Sequence, residues 1–230
     1  MSKSIQTQNF DNIKFIKILS KSSQYGIIWL GTYINTPCII KMIRIESSVK
    51  PNSSIFKKND NIPYLHKEFK NRKQMTHEKF NYEVSQLKLL SELKLAPALF
   101  DSWICEKLFS IKYGFIIMEK MDCSVKDILL KRNLKKEEQY LIDDLIDTAH
   151  HKFKIFHGDM KPSNIGVYLD SRGYIKKCVF LDCAKVRNLK KYDKPTARRM
   201  IVHDNYIYDK HIDKNTEQRK VMKHKIKKRK

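Results

Sequence analysis

Apolar residues in the first 45 positions fall in three bursts separated by small polar stretches. Ile13, Phe15, Ile16 and Ile18 form the first burst, and Lys21-Ser22-Ser23-Gln24-Tyr25-Gly26 reads as a turn. Ile27, Ile28, Trp29 and Leu30 follow, with a break near Asn35-Thr36-Pro37 before Cys38-Ile39-Ile40-Lys41-Met42-Ile43. Short β-branched and aromatic runs between turn residues predict three strands. Residues 46–66 are rich in Ser, Asn, Lys and Pro and offer little to bury, as expected of a surface insertion. Phe80, Val84, Leu87, Leu90 and Leu93 recur at intervals of three and four, which predicts a helix over 77–94, closed by Pro97. Apolar runs at 99–104 and 113–119 add two strands.

After Asp122 the pattern changes. A short helix is expected from Asp127 to Arg132. A stronger one is expected from Glu137 to Phe153, with Leu141, Leu145, Ile146 and Ala149 on one side. His157–Asn164, Ile165–Leu169 and Cys178–Asp182 read as compact elements, and Asp170-Ser171-Arg172-Gly173 as a hairpin turn. From Arg187 onward periodicity fades and charge dominates, with Tyr206, Ile207 and Tyr208 as a last apolar patch.

Composition narrows the classes. The chain has 230 residues, 41% of them apolar and 10% aromatic, which excludes wholesale disorder. Six Gly and six Pro exclude a collagen-like chain. No apolar run approaches the roughly 20 residues of a membrane span, and Met1-Ser2-Lys3-Ser4 opens no signal-peptide h-region. The five cysteines form no CxxC pair, so they are expected to be reduced core thiols in the cytosol or nucleus. The net charge of +22 is concentrated in part at 216–230, where eight Lys and Arg face Glu217 alone. Such a tail suits contact with a polyanion. No zinc spacing or RNA-binding aromatic signature supports nucleic acid as the main ligand.

The chemistry concentrates in His157-Gly158-Asp159-Met160-Lys161-Pro162-Ser163-Asn164. A carboxylate, a lysine two residues on and an amide five residues on suit phosphoryl transfer. The carboxylate orients an attacking hydroxyl, the lysine meets the transferring phosphoryl group, and the amide oxygen binds magnesium. Val179-Phe180-Leu181-Asp182 ends an apolar run in a carboxylate, a fitting second ligand for a cation that prefers oxygen.

These residues resemble the HRDLKxxN loop of the eukaryotic-type protein kinase superfamily, with Gly158 in place of Arg. The HGDxKPxN form is most similar to the casein kinase 1 and vaccinia-related branch, which includes members from DNA viruses. Lys161 marks the Ser/Thr form. The high Lys, Ile and Asn usage accords with an A+T-rich genome.

The resemblance covers roughly residues 13–187 and implies an α+β, bilobal protein-kinase-like fold. An N-lobe at 1–121 would hold an antiparallel sheet and the αC helix. A shortened helical C-lobe would span 122–215, followed by a basic tail at 216–230. It also implies roles. Lys41 would meet the α/β-phosphates of ATP, held by Glu83, with Glu78 the second choice. Ser20, Ser22, Gly26 and Ile28 would form the phosphate-covering loop, with serines replacing two glycines. Glu119 and Met121 would belong to the hinge beside the adenine. Asp159 and Lys161 would be catalytic, and Asn164 and Asp182 would hold Mg2+. Asp182-Cys183-Ala184 stands where the family has DFG.

The implied activity is Ser/Thr protein phosphorylation with ATP and Mg2+, on a protein substrate that a basic surface would favour as acidic. Alternatives are a pseudokinase or nucleotide-binding regulatory module, and a small-molecule phosphotransferase with an HGDxxxxN-like loop. No APE motif follows Asp182, and no run suits the family's later helices. A partner that completes the C-lobe is therefore expected. Gly158 implies a kinase that is not switched through an activation-loop phosphate.

Overall fold

Short apolar runs separated by turns build a five-stranded antiparallel sheet. Its strands are β1 (Ile13–Ser20), β2 (Gly26–Tyr33), β3 (Thr36–Ile45), β4 (Leu99–Leu108) and β5 (Ile111–Glu119), in the order β1-β2-β3-β5-β4. These belong to a computed structural model that describes residues 12–21, 25–46, 73–108 and 111–227. The chain divides into two units, one of residues 1–84 and 98–120 and one of residues 85–97 and 121–230. The architecture is α+β, with an antiparallel N-terminal sheet and several helices, compatible with a kinase-like fold.

In the first unit, Ile27 and Trp29 of β2, Cys38, Ile40 and Met42 of β3, and Tyr113, Phe115 and Ile117 of β5 share one buried face. Phe15 meets Trp29 edge-on and Trp103 stacks on Phe115. The opposite face of β3 carries Ile39, Lys41, Ile43 and Ile45, also buried. A strand covered on both sides reads as a nearly continuous apolar run, as β3 does apart from Lys41. Helix α1 (His77–Glu92) starts at Thr76, whose hydroxyl accepts from Lys79 N–H at 3.2 Å. Phe80 packs against Gly114, where an added Cβ would sit 2.3 Å from the ring. Only glycine permits that approach.

The second unit takes in the end of α1 and the turn after it, as well as everything from Met121 on. Lys94 adopts φ +60°, and Leu95 then accepts a backbone bond from Phe180 at 2.7 Å. That bond ties the turn to the hairpin of β8 (Ile165–Leu169) and β9 (Ile175–Phe180). The hairpin turn falls at Asp170–Gly173 as expected, with Gly173 at φ +80°. β6 (Cys123–Ser124) pairs with β8, and β7 (Ile155–Phe156) with β10 (Arg187–Asn188).

Helix α2 (Val125–Leu129) begins earlier than Asp127 because Ser124 and Asp127 form a reciprocal capping box. Helix α3 (Lys136–Asp147) buries Ile142, Leu145 and Ile146, then widens into a π-helical turn at Thr148–Lys152. Inside its first turn Glu138 is buried. It takes both guanidinium nitrogens of Arg132 at 2.5 and 2.6 Å and the backbone N–H of Lys135 and Ile175. Burial opposes its charge, yet these donors bring its pKa down to about 2.

The structure has a long helix after Asp193 that the fading periodicity does not predict. Helix α4 runs over Lys194–Lys227, 34 residues, and continues through the boundary placed at 216. Its sequence hides it, because the innermost position of its buried stripe is a carboxylate, Asp204, where an apolar residue would mark a core-facing stripe. The polar stretch at 46–66 lies, beyond Glu46, outside the described residues. No helix among the described residues is long and apolar enough to cross a membrane. Cys38, Cys178 and Cys183 are buried, and burial raises the Cys38 thiol to about 11 and the Cys178 thiol to about 12.

Candidate active site

Lys41 stands in register with Ile28 of β2 and Ile116 of β5, at the middle of the sheet. A buried ammonium among isoleucines is costly unless a counter-charge meets it. Glu83 supplies one: it is 3% exposed, and its Oε1 accepts from Lys41 Nζ. Phe80 and Glu83 are three residues apart on α1, so one helical face both packs on Gly114 and delivers the carboxylate. Glu78 is exposed at the helix start.

In the second unit, Asp159, Lys161 and Asn164 converge. Lys161 Nζ donates to Asp159 Oδ2 at 2.8 Å. Asn164 Nδ2 donates to the same oxygen and to the Asp159 carbonyl, each at 3.0 Å. Asp159 Oδ1 accepts no hydrogen bond from the described residues, so it is the oxygen open to an incoming hydroxyl. A cation not singled out by the motif, Lys185, lies 3.9 Å from that oxygen.

Asp182 follows directly on Leu181, whose N–H donates to the Asn164 carbonyl at 2.8 Å, so the two candidate metal residues are neighbours. Asp182 adopts φ +55°, a left-handed conformation that Asp tolerates better than most side chains. Asn164 commits its amide nitrogen to Asp159 and leaves its Oδ1 without a protein donor among the described residues. An amide oxygen and an exposed carboxylate form the hard donor set that Mg2+ takes, with waters and phosphate oxygens completing its shell. The residues present fit that ion. The described residues contain no group of three or more His, Cys, Asp or Glu poised for a metal.

The loop owes its shape to Asp204, which motif spacing does not single out. Asp204 is fully buried and accepts from the backbone N–H of His157 at 2.8 Å and of Gly158 at 2.9 Å. His150 Nε2, presented by the π-helical turn, lies 3.2 Å from Oδ2, the same oxygen that His157 N–H meets. His157 is buried as well. Its Nδ1 accepts from Asp159 N–H at 3.3 Å, so the ring proton sits on Nε2 and donates to the Leu181 carbonyl at 2.9 Å. Burial holds its pKa below the ordinary value, against the pull of Asp204, the Leu181 carbonyl, Asp182 and Asp159. One neutral imidazole thus couples the loop to the segment that carries Asp182.

Gly158 has a steric reason. Its φ is +79°, and an added Cβ would meet the Lys185 carbonyl at 2.8 Å and Lys185 Cβ at 2.9 Å. Gly158 is therefore a residue that no side chain could replace without a backbone shift.

The remaining candidates are more dispersed. Ser20 ends β1 opposite Ile28. Gly26 opens β2 so close to β3 that a Cβ would lie 2.3 Å from the Met42 carbonyl, so strand packing alone requires glycine there. Ser22 lies outside the described residues. Glu119 ends β5 and accepts from Ala98 N–H at 3.2 Å. Met121 packs near Gly166 beside Leu181. Ser20, Gly26, Ile28, Lys41, Glu83 and Glu119 belong to the first unit, and Met121, Asp159, Lys161, Asn164 and Asp182 to the second.

No protein-family model matches the chain. Over 86 residues the chain is 34% identical to a MAP kinase kinase of Caenorhabditis elegans, mkk-4. That match takes in 37% of this chain and 23% of the worm protein, so the chain spans about a quarter of that relative's length. The similarity points to a protein-kinase relationship. It does not single out the casein kinase 1 and vaccinia-related branch.

Proposed function

We infer that the chain is an ATP-dependent phosphotransferase that acts on serine or threonine hydroxyls of proteins, of the casein kinase 1 and vaccinia-related type. The observation that carries this reading is the state of Asp159. One carboxylate oxygen is held by Lys161 and Asn164, and the other is open.

In this reading the open Oδ1 accepts the hydrogen bond of the substrate hydroxyl and takes its proton as the oxygen attacks. Lys161 and Asn164 fix the carboxylate so that its direction is set before the substrate arrives. Lys161 Nζ also faces the charge on the transferring group. Lys41, aligned by Glu83, binds the α/β-phosphates of ATP, and the backbone at Glu119 and Met121 takes the adenine edge. Asn164 Oδ1 and the Asp182 carboxylate would hold Mg2+, which when bound neutralises phosphate charge.

Transfer from radiolabelled Mg-ATP to casein and myelin basic protein, compared with Asp159→Asn, tests the proposal. Incorporation by the parent and its loss in the variant is the expected result. Mg-ATP binding with no transfer by either would overturn it in favour of a nucleotide-binding regulatory module.

A further inference from the structure

The outer face of helix α4 has no part in the chemistry proposed above. Pro195, Arg199, Val202, Tyr206 and Lys210 follow one another at intervals of three and four, so they share one side of the helix, and all are exposed. Asp204 and Tyr208 lie on the opposite side and are buried. Val202 is 60% exposed and Tyr206 57%. Two large side chains one turn apart on the outward face add nothing to the core.

The start of the same helix is strongly cationic. Over residues 190–199, Lys190, Lys191, Lys194, Arg198 and Arg199 stand exposed against one acid, Asp193. Asp193 is committed to the backbone: its Oδ1 accepts from Thr196 N–H at 2.8 Å and caps the helix. Leu189 is buried and its N–H donates to the Lys154 carbonyl at 2.7 Å, which fixes the segment that leads in. A groove of about 640 Å³ runs past Lys194, Arg198, Arg199 and Val202. That is the size of ligand sites in general, about 300–1,000 Å³. So dense a group of like charges carries a self-repulsion that a polyanion relieves.

Aromatic rings choose among polyanions. Tyr192, 40% exposed, and Tyr206 bracket the helical cations. Lys210 Nζ lies 5.6 Å from the Tyr206 ring centroid, so a base stacked on that ring brings its phosphate beside an ammonium. An acidic peptide offers carboxylates but no flat ring to stack. A membrane-lying helix needs a broad apolar face, and here Arg199 and Lys210 interrupt the stripe. From Pro195 to Lys210 the helix advances about 22 Å, at about 1.5 Å per residue. A stacked single strand covers that length in about six nucleotides, at about 3.4 Å each. Asp209 and Asp213, exposed at the far end, close the stripe. No linear signature marks this surface, because α4 assembles it from residues spread over 190–210.

We propose that residues 190–199 and the outer face of α4 bind single-stranded nucleic acid, with Lys194, Arg198 and Arg199 on phosphates and Tyr192 and Tyr206 under bases. The inference is independent of the phosphotransferase reading, since none of these residues belongs to that site.

The test is fluorescence anisotropy of the full chain with a labelled oligothymidine of about 12 nucleotides, a duplex of about 12 base pairs and an oligoglutamate of equal length. Sedimentation with phosphatidylserine vesicles completes the set. The parent should bind oligothymidine about tenfold more tightly than oligoglutamate, the scale of one stacked base. The basic tail at 216–230 attracts any polyanion, so the variants decide. Arg198→Glu with Arg199→Glu should weaken oligothymidine binding by about tenfold or more and flatten the slope of log affinity against log salt by about 1.4, the share of two phosphate contacts. Tyr206→Ala should weaken binding about 5- to 150-fold with the salt slope unchanged, and Tyr206→Phe should retain it. The substituted side chains are exposed, and urea midpoints at the parent's value check that each variant folds.

Oligoglutamate bound as tightly as oligothymidine, with Tyr206→Ala without effect, would assign the face to an acidic protein and overturn the proposal. A preference for the duplex, or vesicle binding lost in the variants, would overturn it too. Single-strand binding that no variant alters would place the contact in the tail and overturn the site.

Discussion

Lys41 and Asp159 are both charged side chains held by charged neighbours, but the two regions hold them in different ways. Lys41 is buried and bonded to a carboxylate on a neighbouring helix. It lies on a doubly covered strand, and Glu83 is the carboxylate that answers it. Asp159 sits on a loop that would have no regular structure by itself. Side chains fix its carboxylate, and the loop backbone is fixed from behind by Asp204, which takes two consecutive N–H groups. The first joins a strand to a helix through two side chains, among buried isoleucines. The second is a network around a buried acceptor. A pair can be replaced as a pair, whereas a network whose donors are backbone groups cannot be replaced at all.

The largest expected effect comes from the centre of the network. Asp204→Ala leaves the N–H groups of His157 and Gly158 and the His150 ring without an acceptor, at about 1–3 kcal/mol for each buried group. A loss of about 4 kcal/mol in urea unfolding is expected, together with loss of phosphotransfer. A loss below about 1 kcal/mol would break the comparison.

Next comes the pair. Lys41→Met or Glu83→Leu alone should cost about 3 kcal/mol, because each strands a buried charge. Lys41→Met with Glu83→Leu should return to within about 1 kcal/mol of the parent, since the surroundings are apolar. A double variant as unstable as the worse single one would show that Lys41 and Glu83 do not behave as a unit.

Gly158→Ala should cost about 2 kcal/mol, from the left-handed backbone and the clash with the Lys185 carbonyl. The displaced loop should lower kcat with little change in the KM for ATP. An unaltered kcat would mean that the loop tolerates the shift.

The smallest effects are those of pH. The folded state holds the His157 pKa below 6.5, so the unfolded chain binds that proton more readily. Its contribution is complete above about pH 6.5 and lost as pH falls, with a slope no steeper than about 1.4 kcal/mol per pH unit. Glu138 is lowered from 4.5 to about 2, so its stabilisation is present above about pH 4.5 and lost on the way down to pH 2. Urea midpoints from pH 8 to pH 3 should therefore show two acid limbs, and Glu138→Gln should remove only the lower one. Removal of the upper limb by that variant would refute the assignment.

Much of this was legible in the sequence, for identifiable reasons. Short apolar runs between turn residues marked β2, β3 and β5, because residues on both faces of β3 are buried. The intervals of Phe80, Leu87 and Leu90 marked α1, and all three are buried. Asp159, Lys161 and Asn164 stood out because they lie within six consecutive residues of one loop. Asp204 did not, since a lone carboxylate in a basic helix looks like any solvated residue until its backbone partners are seen. Helix α4 was missed for the same reason. The early start of α2 depended on a reciprocal Ser124–Asp127 cap, a local bond that hydrophobic periodicity does not register. Gly158 read as an absent arginine, whereas its φ and the nearness of Lys185 are tertiary facts.

The distance along the chain between the loop and its anchor also orders events in time. Asp204 lies 47 residues after His157. At translation rates of about 5–20 residues per second, the loop leaves the synthetic machinery roughly 2–9 s before the residue that shapes it. Through that interval the motif exists as sequence only, with the amides of His157 and Gly158 bonded to water. The strands of the first unit's sheet all lie before Met121, so their residues are complete before the loop emerges. The residues of the Lys41–Glu83 pair are thus synthesised before the loop, and the anchor of the loop after it. A nascent fragment that ends before α4 would carry Asp159, Lys161 and Asn164 without the geometry that makes them useful.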